Sequence, residues 1–177
     1  MERRWLFTAH ALPALLAAGA LFLALPARAA GPADTHEVFP GQIIQDAIDA
    51  ADPGDLVLVH AGIYTEHITM RDGVSIYGQG GSATTIHGGY SGPTPTVFMS
   101  SIWAGTVLSG VQVTGGGTGV ITTSTQDGGC IAIWYAAPTI VNTWVQGCTA
   151  RNGGGVFVFT NRPPRLMFEA NSSAKSG

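Results

Sequence analysis

Residues Gly128 to Asn152 form a 25-residue unit that starts again at Gly153. Gly128-Gly129-Cys130-Ile131-Ala132-Ile133-Trp134 aligns without a gap with Gly153-Gly154-Gly155-Val156-Phe157-Val158-Phe159, and Pro138 aligns with Pro163. With one residue dropped, Cys148-Thr149-Ala150-Arg151-Asn152-Gly153 aligns with Ser172-Ser173-Ala174-Lys175-Ser176-Gly177. A period in the twenties, built from short β-rich runs and glycine turns, marks a chain whose repeats stack on one another. One repeat alone buries too few aliphatic side chains to offset the entropy of ordering it, so each must lean on its neighbours.

Composition agrees with this reading. Glycine is 25 of 177 residues and charged residues are 11%, against a usual ~25%. A chain with so little charge and so many β-branched residues is neither a disordered tail nor a helical bundle.

The first 29 residues stand apart. Arg3 and Arg4 form a basic n-region, Leu12 to Leu25 an apolar stretch broken by Pro13, and Ala27-Arg28-Ala29 a small-x-small cleavage site. The apolar stretch falls short of the ~20 residues that span a bilayer, so residues 1–29 are expected to be a signal peptide and not a membrane span. A secreted or cell-surface location follows.

From Ala30 onward the chain carries five bases and ten acids. Arg71 is the only base between Ala30 and Asp127, whereas Arg151, Arg162, Arg165 and Lys175 face only Glu169 after Gly128. This balance excludes nucleic acid as a partner, and the basic end suits an acidic polysaccharide. Cys130 and Cys148 either pair in an oxidising compartment or stand as two buried thiols, and two cysteines make no structural zinc site.

Residues 30–40 read as a polar lead-in and 41–177 as one repeat domain. Gln42 to Ala51 reads as an amphipathic helix with Ile43, Ala47, Ile48 and Ala51 on one face, stopped by Pro53-Gly54. Short strands follow at Leu56–Val59, Ile68–Met70, Val74–Tyr77, Thr85–His87, Val97–Met99, Val107–Leu108, Val111–Val113, Ile131–Trp134, Ile140–Val141 and Val156–Phe159. The expected fold is all-β, a right-handed parallel β-helix (a solenoid) with an N-terminal capping α-helix over its open end. The repeat breaks off at Gly177, so the chain reads as the N-terminal part of a longer protein.

The run Ile44-Gln45-Asp46-Ala47-Ile48-Asp49-Ala50-Ala51, Pro53-Gly54-Asp55, Val57-Leu58-Val59, Gly62-Ile63-Tyr64-Thr65-Glu66 and Val74-Ser75-Ile76-Tyr77-Gly78 resembles the opening of right-handed parallel β-helix proteins of the pectin lyase-like superfamily. The later repeat resembles that of bacterial β-helix surface proteins. The resemblance implies the fold but no single chemistry, because pectate lyases, pectinesterases, polygalacturonases, alginate epimerases and non-catalytic surface proteins share it.

Gly62-Ile63-Tyr64-Thr65-Glu66 is similar to a pectinesterase signature that belongs, in that family, to the early scaffold. The Gln and Asp segments that carry the esterase reaction have no counterpart here, since Gln126-Asp127 leads into a turn. Carboxylates needed for calcium or for acid and base work are scarce, with only Asp127 and Glu169 after Gly110. Asp46, Asp49, Asp52 and Asp55 read as the solvent side of the helix and its turn. His60, His67 and His87 read as separate surface residues. No catalytic set, metal site or cofactor is assigned.

The candidate ligand-binding residues come from strand alternation. With Ile131, Ile133, Val156 and Val158 inward, Ala132, Trp134, Phe157 and Phe159 face outward, Trp134 stacked over Phe159 and close to Arg162 and Arg165. Such a strip could hold a sugar ring and its carboxylate, unless other parts of the protein cover it. The sequence thus reads as an exported surface or polysaccharide-binding repeat protein. The alternative is a polysaccharide-active enzyme whose catalytic residues lie beyond Gly177.

Overall fold

The computed structural model describes residues 33–90, 94–103, 105–117 and 128–160. Residues 1–29, Asp127, Arg162, Arg165, Glu169 and Lys175 therefore lie outside the described residues. In chain order the elements are β1 (Thr35–Val38), α1 (Ile44–Ala50), β2 (Leu56–Val59), β3 (Gly62–Thr65), β4 (Ile68–Met70), β5 (Ser75–Gly78), β6 (Thr84–His87), β7 (Val97–Ser100), β8 (Val107–Ser109), β9 (Gln112–Thr114), β10 (Ile131–Trp134), β11 (Thr139–Val141), β12 (Trp144–Val145) and β13 (Val156–Phe159).

These strands form three all-parallel sheets, and the one short helix packs against β1, β2 and β4. The first runs β1-β2-β5-β8-β11, the second β3-β6-β9-β12 and the third β4-β7-β10-β13. From β2 onward the chain visits the first, second and third sheets in fixed rotation. Each return lands beside the strand left three elements earlier.

The rotation stacks like on like. Val57, Ile76, Leu108 and Ile140 share one inward ladder in the first sheet. Tyr64, Ile86, Val113 and Val145 share one in the second, and Ile68, Val97, Ile131 and Val156 one in the third. All but Val145 and Val156, which are half-buried, are buried in a single core. Branched aliphatic side chains on alternate positions of short strands fill this space well, and that burial is the main stabilising term.

The helix differs from its sequence reading. Ile43 is extended, with φ −105° and ψ 123°, precedes the first helical turn and is 54% exposed. Ile44, Ile48 and Ala51 are the buried residues, with Ala47 packed beside them. Starting the helix at Ile44 moves the apolar stripe by one position, because i and i+4 share a face. The segment read as a lead-in contains β1, whose Val38 points into the core while Thr35 and Glu37 stay exposed. A four-residue Thr-His-Glu-Val alternation is too short and polar to announce a strand, and its pairing with β2 makes it one. Strands β3 and β12 are likewise additions to the sequence expectation: β3 opens on a glycine and β12 is only two residues long.

Cys130, at the start of β10, is disulfide-bonded to Cys148, beyond β12, with Cα atoms 5.3 Å apart. Among the described residues no helix is long and apolar enough to cross a membrane, which says nothing of a β-barrel.

Candidate functional site

The outer face of the third sheet carries the aromatic residues singled out in the sequence. β10 and β13 pair in the register Ile131 to Val156, Ala132 to Phe157, Ile133 to Val158 and Trp134 to Phe159. Ile131 and Ile133 are fully buried, so Trp134 faces outward with Phe157 and Phe159. The Trp134 ring centre lies 5.2 Å from that of Phe159 and 5.6 Å from that of Phe157, at tilts of 47° and 46°. Rings at these separations attract through edge and face contacts beyond simple burial.

Two further aromatic residues belong to the face. Tyr135 directly follows β10 with φ 48°, a left-handed conformation that turns the chain. Its ring meets Phe159 edge-on at 5.3 Å, and it is 50% exposed. Phe98 in β7 is level with Ala132 and, beyond it, with Phe157. Ala132 is on the outer side yet buried, unlike its sequence reading. The backbone at Gly128 closes over it: a Cβ at Gly128, which has φ +78°, would stand 2.6 Å from the Cβ of Ala132. Val158, expected inward, is 37% exposed because β13 has a neighbour on one side only among the described residues.

Residues 128–160 contain Arg151, exposed, and no acid.

The Gly62–Glu66 segment is structural. A Cβ on Gly62 would come within 2.9 Å of Pro40 Cγ. The buried Tyr64 hydroxyl lies 2.9 Å from the His60 carbonyl and 3.1 Å from that of Val38, sharing its proton between them. Burial, with the Glu66 charge adding to it, pushes the phenol above its ordinary pKa and keeps it a neutral donor. Glu66 accepts the amide hydrogens of Ile44 and Gln45 through its two carboxylate oxygens, at 2.9 and 3.0 Å. A carboxylate held this way at a helix start is a cap rather than a proton carrier.

The other polar candidates are dispersed. Asp55 is not on the solvent side but buried, whereas Asp46, Asp49 and Asp52 are exposed. Asp55 accepts from the amides of Asp34 and Asp52 at 2.9 and 2.8 Å and from His36 Nε2 at 3.2 Å, and these contacts hold its carboxyl below the ordinary value. His60 receives the Gln79 amide at Nδ1 and donates from Nε2 to Glu37, while stacking on Phe39 at 4.0 Å. His67 Nδ1 donates to the Pro95 carbonyl at 2.8 Å. His87 Nδ1 accepts from Gly89 N at 2.8 Å. No cluster of three His, Cys, Asp or Glu among the described residues could hold a metal ion.

Phe98 and Tyr135 are the site residues that sequence reasoning missed. Tyr135 sits directly after the repeat's strand and was within reach of it; Phe98 lies in a stretch without visible likeness to the repeat. No protein-family model, no curated protein and no solved structure matches this chain.

Proposed function

We propose that the chain is an exported right-handed parallel β-helix protein, akin to the pectin lyase-like superfamily, whose third-sheet face binds acidic polysaccharide. The observation that carries the binding reading is the mutually packed group of Trp134, Phe157, Phe159 and Tyr135 on one face, with Phe159 and Tyr135 exposed and Trp134 and Phe157 half-buried. Contiguous aromatic surface of this kind is a mark of ligand or partner contact. The fixed rotation through three parallel sheets supports the β-helix, and its right hand follows the rule for parallel crossovers. Export rests on the n-, h- and c-region pattern of residues 1–29, and the Cys130–Cys148 disulfide suits an oxidising compartment. Glu66 and Asp55, two carboxylates of the kind that acid or base chemistry uses, are engaged by a helix start and a turn, which favours binding over catalysis. Arg162 and Arg165 supply the charge for a uronate.

Affinity electrophoresis through pectate or alginate at low salt tests this. The wild-type chain is retarded, Trp134→Ala is retarded less with its fold unchanged, and Arg165→Ala shows a reduced salt dependence. An unretarded wild-type chain overturns the proposal.

A further inference from the structure

A second recess lies where the first sheet hands over to the second, away from the aromatic face. The chain turns there at three successive levels: Gly78, Gly80 and Gly81 at the end of β5, Ser109 and Gly110 at the end of β8, and Asn142, Thr143 and Trp144 where β11 leads into β12. Together they line a cleft of ≈ 380 Å³. That lies within the ~300–1,000 Å³ usual for small-ligand sites.

Glycine lets the walls of the cleft pack this closely, and a Cβ on Gly80 would meet nothing within 4 Å. A Cβ on Gly81 would stand 2.7 Å from Trp144 Cγ, so the indole lies on bare backbone. A side chain on Gly78 or Gly110 would strike the carbonyl of the other. Trp144 remains 40% exposed. Thr143 is engaged, its hydroxyl donating to the Val141 carbonyl at 2.9 Å. The Ser109 hydroxyl, the Asn142 carboxamide and the Trp144 indole N–H make no hydrogen bond among the described residues. One flat aromatic platform, three uncommitted neutral polar groups and no charged lining residue define the ligand class. An apolar ring face bearing several hydroxyls matches them, and the lining offers a charged ligand no counter-charge.

We propose that this cleft binds a neutral pyranose unit of a glycan, the ring on Trp144 and its hydroxyls on Asn142 and Ser109. The site is independent of the uronate reading of the third sheet, since it uses other residues and offers a uronate no counter-charge.

The test is an NMR titration of the ¹⁵N-labelled chain, following indole N–H signals. The probes are neutral tetrasaccharides of β-1,4-linked glucose, xylose and mannose, with tetragalacturonate as the charged control, each to about 10 mM. The Trp144 signal, identified by its loss in Trp144→Phe, shifts with at least one neutral probe and not with tetragalacturonate. Asn142→Gly weakens that binding about tenfold. Asn142 has φ 47°, which glycine adopts freely, so the variant keeps the fold and isolates the carboxamide. A Trp144 signal unmoved by every neutral probe, a shift confined to Trp134, or undiminished binding by Asn142→Gly overturns the proposal.

Discussion

Glu66 Oε1 lies 2.9 Å from the amide nitrogen of Ile44, 22 residues earlier in the chain, and so closes the amino end of α1 from the strand side. Its second oxygen takes the Gln45 amide. At the other end Arg71 Nη1 reaches the carbonyls of Ile48, Asp49 and Ala51 at 3.2, 2.8 and 2.9 Å. The helix is thus capped by an anion at its start and a cation at its end, the arrangement its dipole favours. Gln45 completes the docking by pairing its side-chain amide with both backbone groups of Thr69 on the edge of β4.

Glu66→Ala should therefore lower stability by about 1–2 kcal/mol, the scale of a lost helix cap. Urea unfolding is the measurement, with the midpoint falling at unchanged slope. Glu66→Gln should fall between wild type and alanine, because one acceptor oxygen survives without the charge.

Arg71→Met should cost about 1.5–3 kcal/mol. The methionine retains most of the apolar stem but loses three charge-assisted contacts to helix carbonyls. Arg71→Lys should recover part of the loss, since one ammonium cannot match the planar reach of the guanidinium.

Asp55 links stability to pH. Its folded-state pKa is lowered, chiefly by the amides of Asp34 and Asp52 and then by His36. Its contribution is accordingly complete above the ordinary carboxylate value of about 3.9 and is lost as pH falls below that through the folded-state value. Thermal melts between pH 6 and pH 2 should show this decline in wild type and a shallower one in Asp55→Asn.

Reduction of the Cys130–Cys148 disulfide should lower stability by about 3 kcal/mol, as expected for a loop of 18 residues. Unfolding midpoints with and without reductant check this, and Cys130→Ser with Cys148→Ser should reproduce the reduced chain and remove its response to reductant.

The pairing of β10 with β13 was legible in the sequence because the two repeats align without a gap, and a period-2 side-chain pattern then assigns every residue a face. The strand character of most of the chain was legible for a related reason: β-branched runs cut by Gly and Asp-Gly turns have few other ways to fold. Phe98 was not, since Val97 and Ile131 are separated by a longer connection than Ile131 and Val156, and the repeat is hidden there. Nor were the partners of Glu66, Arg71 and Asp55, and for Cys130 the sequence left pairing with Cys148 and two free thiols both open. Each of these contacts joins residues some 20 positions apart, and such distances depend on how neighbouring strands stack and turn. Local pattern determines which face a side chain takes, because alternation is a property of the strand itself. Only the tertiary structure decides what that side chain meets, because the atoms it meets belong to another strand or turn.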